Sequence, residues 1–82
     1  MTPDHDQLQI GDVKMWWIAA SEVHRGDHVY VRVGPEDPLI YLGIACGDAQ
    51  QDDELVWFTT DNDGIVDNER LQPGEHVLVV RR

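Results

Sequence analysis

A chain of 82 residues, 41 % apolar and 27 % charged, holds at most one small domain, whose folding removes roughly 60–65 % of the unfolded surface from water. Six basic residues stand against sixteen acidic ones, and the resulting formal charge of −10 argues against binding a phosphate backbone, which relies on Lys and Arg. No apolar stretch approaches the roughly 18 residues of a membrane helix, and the single cysteine, Cys46, excludes an internal disulfide and fits a reducing compartment.

Residues 1–7 are polar, contain a proline and lack periodicity, which predicts a flexible N-terminus ahead of one domain over 8–82. Met1-Thr2-Pro3-Asp4-His5-Asp6 has neither the positive flank nor the apolar stretch of a signal peptide, so the expected location is the cytoplasm. Runs of β-formers follow at 12–20, 27–33, 39–47, 54–60, 64–69 and 75–81. The breakers between them are Gly26, Gly34-Pro35 with Pro38, Gly47-Asp48, Asp61-Asn62-Asp63-Gly64, and Pro73-Gly74. This spacing predicts an all-β domain, a small partly open antiparallel barrel of about five or six strands. One short helical turn is expected over 21–24, capped by Ser21 and ended by Gly26.

Alternation along the strands assigns faces. In the first run Val13, Met15, Trp17 and Ala19 share one side, and Lys14, Trp16 and Ile18 share the other. Val29, Val31 and Val33 are expected inward, with His28, Tyr30 and Arg32 outward. Ile40, Leu42, Ile44 and Cys46 line up, which predicts a buried, inert thiol, while Gly43 within the run marks a bend or bulge. Gly26-Asp27-His28-Val29-Tyr30-Val31 recurs as Gly74-Glu75-His76-Val77-Leu78-Val79, so Val77 and Val79 should repeat the inward placement of Val29 and Val31. The runs 54–60 and 64–69 flank the Asp/Asn/Gly turn and read as a hairpin.

These turn-into-strand segments, together with Tyr41-Leu42-Gly43-Ile44 and Val56-Trp57-Phe58 leading into an Asp-Gly turn, resemble the strand succession of SH3-like small barrels over about residues 24–80. The resemblance implies a topology and no activity. In style (five Arg to one Lys, Asp well above Glu, three Trp) the chain is similar to small accessory proteins of high-GC actinobacteria and their phages.

Asp61-Asn62-Asp63-Gly64 has the alternating oxygens and glycine of part of a calcium loop, but Thr59 then stands where the first carboxylate belongs and Arg70 where the bidentate glutamate belongs. A hairpin turn explains the segment, with weak divalent-cation binding near Asp67 and Glu69 as an alternative. His24 and His28 straddle Gly26, so neither a metal site nor a cofactor is expected. Ser21, His24 and Asp27 supply the residue types of a triad without a nucleophile elbow, and no phosphate-binding glycine loop is present. No catalytic residue and no enzymatic activity are expected.

Residues 48–69 hold eight of the sixteen carboxylates and no Lys or Arg. Spread over the loops and outer faces of one hairpin, they would make one end of the molecule negative and steer a basic partner. Mimicry of DNA phosphates is the alternative reading of that charge. Trp16 and Trp17 are strand neighbours and must point to opposite sides; Trp16, beside Lys14 and Ile18, is the one expected outside. Trp16, Ile18 and Tyr30, extended by Leu78 and Val80, form the candidate apolar contact. Asp61, Asp63, Asp67 and Glu69 form the candidate acidic one. The expected function is non-enzymatic binding of another protein with a basic surface, or of a second copy, without direct contact to nucleic acid or membrane.

Overall fold

The β-formers do pair edge to edge. A computed structural model describes the backbone of residues 7–10 and 13–81 and the side chains of 14–81. It contains the strands β1 (Gln7–Ile10), β2 (Val13–Ala19), β3 (His28–Val31), β4 (Ile40–Ala45), β5 (Gln50–Gln51), β6 (Val56–Asn62), β7 (Ile65–Leu71) and β8 (His76–Arg81). All pairings are antiparallel, in the order β1-β2-β8-β3-β4-β6. Along β6, β7 occupies one edge over its full length, so β4 and the two-residue β5 share the other. The sheet curls, yet β1 and β7, at its two ends, do not pair with each other; the result is a partly open barrel. No helix among the described residues is long and apolar enough to cross a membrane.

β1 and β5 lie where the sequence shows no strand period. The expected flexible segment 1–7 falls outside the described residues except for Gln7, which opens β1. The helical turn is a 3₁₀ turn at Ala20–Glu22, one residue earlier than expected, and Ser21 sits inside it rather than capping it. Ala20 explains the shift: its side chain is buried and its N–H donates to the Glu75 carbonyl at 2.9 Å, so the turn begins as soon as β2 leaves β8.

The core occupies the concave face and is built from Val29, Val56, Val77 and Val79 with Ala20, Val23, Ala45 and Phe58. Val77 and Val79 do repeat the role of Val29, because β3 and β8 pair with Val29 opposite Val79. Burial of a valine is worth about 1.5–3 kcal/mol. That gain fixes the face of β2, where both rows of side chains are apolar. Trp16 lies opposite Val79 and Ile18 opposite Val77, and both pack against the core. The expected outward placement of Trp16 and Ile18 is therefore reversed, and of these two neighbouring tryptophans Trp17 is the outward one.

Two further face assignments are corrected. Val33 lies beyond the end of β3 and is 86 % exposed. In β4 the pairing slips between Val29 and Tyr30, so that Val29 faces Gly43 while Tyr30 faces Tyr41, leaving Leu42 as the extra residue. This is the bulge that Gly43 signalled, and it inverts the alternation downstream. Leu42 packs on the core, Ala45 is buried, and Ile44 and Cys46 are exposed. Cys46 is thus a surface thiol, not a buried one.

Candidate functional site

Antiparallel sheets commonly solvate the face opposite their core. Here that outer face is apolar and aromatic across β2, β8, β3 and β4. Cross-strand partners project side chains from the same face. One row therefore runs Trp17, Leu78, Tyr30, Tyr41, and a parallel row runs Met15, Val80, His28, Ile44. Leu78 is 2 % exposed although it points away from the core, because bulky side chains flank it. Leu78 and Val80 thus lie on the outer face, next to Trp17 rather than Trp16, but Leu78 is covered by its neighbours instead of extending an exposed patch.

Specific contacts order this face. The Tyr30 and Tyr41 rings lie 4.9 Å apart at a tilt of 43°, within the range of favourable aromatic pairs. His28 Nδ1 is hydrogen-bonded to the Tyr41 hydroxyl at 2.9 Å. The Arg32 guanidinium sits 5.2 Å from the Trp17 ring centroid, a cation–π contact at the rim. Tyr30 is therefore outward, as expected, and Arg32 accompanies it.

The acidic candidates do not form one surface. Asp61 lies on β6 opposite Ile44 and Val66, on the outer face, and borders Tyr41. Asp63 occupies the hairpin turn at φ 54°, the left-handed region that Asp tolerates better than most residues. Asp67 and Glu69 pair with Thr60 and Phe58 and project toward the concave side at the open edge of the sheet. Three carboxylates of residues 48–69 accept backbone N–H groups, those of Asp52 and Asp61 within local turns. Asp61 Oδ1 accepts the Gly64 N–H at 2.8 Å, Asp52 Oδ1 accepts the Glu54 and Leu55 N–H groups, and Asp48 Oδ1 accepts the Arg25 N–H. The Arg25 hydrogen bond, aided by His24, holds the Asp48 carboxyl below the ordinary carboxylate range. The Asp61-to-Gly64 turn is the Asx geometry of a hairpin, and no group of three or more potential metal ligands occurs among the described residues.

Ser21, His24 and Asp27 are likewise drawn into structure. Asp27 is 4 % exposed and receives both Arg81 Nε at 2.8 Å and Arg81 Nη2 at 2.9 Å, while the His24 N–H donates to its second oxygen. The His24 ring faces Asp48, 3.5 Å away. The Asp27–Arg81 pair was absent from the sequence reading. Nothing in the local pattern links two residues so far apart in the chain.

Burial, Tyr30 and Asp61 together push the Tyr41 hydroxyl above its ordinary value of 10.0. The neutral phenol is favoured in the folded state, so this stabilisation is complete below that value. It is lost as the pH rises from that value through the raised one of the folded state, an interval in which the unfolded chain is ionised and the folded one is not. Ultraviolet titration is expected to show Tyr41 ionising above its ordinary value, and Asp61→Asn is expected to bring that transition to lower pH. An unmoved transition would separate Asp61 from this face.

No family model matches the chain, and no curated protein or solved structure shows significant similarity to it.

Proposed function

We propose that the protein acts by binding another protein through the outer face of β2, β8, β3 and β4, without chemistry of its own. One observation carries this reading: the face opposite the core presents Trp17, Tyr30 and Tyr41 around a sealed Leu78, with no second layer over it among the described residues. Tyr and Trp are the residues most often found at binding hot spots, where one end is apolar and the other polar. Asp61 at the border, on a chain of formal charge −10, selects a basic partner surface and speeds its approach. The composition suits an accessory or regulatory factor, such as one encoded by a phage and acting on a host protein. Phosphate mimicry fits less well. Carboxylates committed to turn N–H groups, and divided between two faces, do not form an array along a duplex.

Affinity capture from the source organism's lysate tests the proposal. Truncating a hot-spot residue costs about 2 kcal/mol or more, close to 30-fold in affinity. Trp17→Ala and Tyr41→Ala are each expected to lose the partner that the wild type retains, while Cys46→Ser keeps it. Retention by both aromatic variants would contradict the assignment.

A further inference from the structure

A second surface lies on the concave side. A cavity of about 450 Å³ opens there, lined by the apolar Val31, Leu42 and Leu71 and by the charged Arg32, Glu69 and Glu75. That volume falls within the range of sites that hold a ligand group. The cavity adjoins β7, which pairs with β6 along one edge and with no strand along the other among the described residues. A free edge presents unpaired N–H and C=O groups and can accept another strand. Val33, which lines the cavity, is itself exposed, as are Leu39 and Ile40 where the chain enters β4.

The side chains along this edge indicate what kind of strand it takes. On its concave side β7 presents, in order, Ile65, Asp67, Glu69 and Leu71. A second copy fits poorly. Two β7 edges paired antiparallel about Asn68 would set Asp67 against Glu69 twice, and like charges directly opposite are destabilising. A strand with basic residues opposite Asp67 and Glu69, and aliphatic ones opposite Ile65 and Leu71, meets every position with its complement. The aliphatic residue opposite Leu71 enters the cavity.

We propose that the β7 edge and the adjoining cavity bind an extended basic–aliphatic segment of a partner protein as an added antiparallel strand. This surface meets the outer aromatic face only at Arg32, which lines the cavity and lies over Trp17, and the β7 edge itself does not draw on that face. The test uses the full chain and three blocked seven-residue peptides: Val-Thr-Lys-Thr-Lys-Thr-Val, which sets valine, lysine, lysine and valine on one strand face; the same peptide with both lysines replaced by glutamate; and the lysine peptide N-methylated at alternate residues.

Saturation with the valine–lysine peptide is expected to slow hydrogen exchange at least tenfold at those β7 amides that point away from β6. The glutamate and N-methylated peptides are expected to bind at least tenfold more weakly. Asp67→Lys and Glu69→Lys should each weaken the lysine peptide tenfold or more, whereas Tyr41→Ala, on the outer face away from Arg32, should leave its binding unchanged. Equal binding of the N-methylated peptide would reduce the interaction to unspecific charge attraction and overturn the proposal. So would protection confined to the outer face, or no binding to the wild type.

Discussion

Arg81→Ala is expected to lower the unfolding free energy by about 3 kcal/mol, the low end for breaking a buried ion pair. The cost comes from what is left behind. Asp27 is 4 % exposed, and without the guanidinium its carboxylate keeps only the His24 N–H as a donor from the described contacts. The value sits at the low end because the Arg81 side chain is itself 36 % exposed, so water reaches the gap. Arg81 also lies 5.6 Å from the Trp16 ring centroid, tying the end of β8 to the tryptophan that packs on the core. Arg81→Lys is expected to recover little, since one ammonium cannot reproduce a two-point contact. In a domain of this size, thermal unfolding should show a Tm lower by more than about 10 °C. A Tm within 2 °C of wild type would mean that the pair contributes nothing. The Asp27 hydrogen bonds hold the Arg81 guanidinium protonated more firmly than usual. This contribution is therefore complete below the ordinary arginine value and shows no alkaline loss in the working range.

Gly43→Ala is expected to be at least as damaging. Gly43 has φ +128°, and a Cβ there would lie 2.6 Å from the Asp61 carbonyl oxygen and 2.7 Å from its carbon. The obstruction is backbone, so no rotamer change relieves it. Either β4 separates from β6, losing the Ile44–Asp61 and Ala45–Thr60 pairing, or the bulge is abandoned and Ala45 rotates out of the core. Unfavourable φ alone costs about 1–3 kcal/mol, and the clash adds to it. Loss of more than about 3 kcal/mol in denaturant unfolding, or failure to fold, is the expected outcome. Gly64→Ala is the control, since that turn glycine shares a positive φ but has open space around it. It should cost less. Equal effects at the two sites would remove the close approach of β4 and β6 from the explanation.

Fold class was legible because its signals are local. Glycine, proline and aspartate breakers at short intervals, alternating valines, and the repeated turn-into-strand segment all survive into the structure. The faces of β2 and of the second half of β4 were not legible, for different reasons. In β2 both rows are apolar, so alternation alone cannot rank Trp16 against Trp17. The decision rests with Val77 and Val79 on β8, which the sequence places far away. In β4, Gly43 announced a bulge, but a bulge inverts every residue after it, and the inward row Ile40, Leu42, Ile44, Cys46 assumed none. Outward Tyr30 is legible from alternation, whereas the position of Asp61 beside Tyr41 follows only from the pairing of β4 with β6. Tyr41 was not singled out, because its importance arises from pairing with Tyr30 and His28. The acidic run reads as one charged surface; the structure divides it between two faces and commits Asp48, Asp52 and Asp61 to backbone N–H groups, a use invisible to charge counting.

Everything proposed for the outer face depends on Trp17, and not Trp16, lying there. Nuclear Overhauser contacts from the two indole rings measure this directly in solution. The expected pattern joins the Trp17 ring to the Leu78 methyls and the Tyr30 ring, and the Trp16 ring to the methyls of Val77 or Val79. The opposite pairing, Trp16 to Leu78 and Trp17 to Val79, would mean that β2 is slipped by one residue and that the aromatic recognition face does not exist.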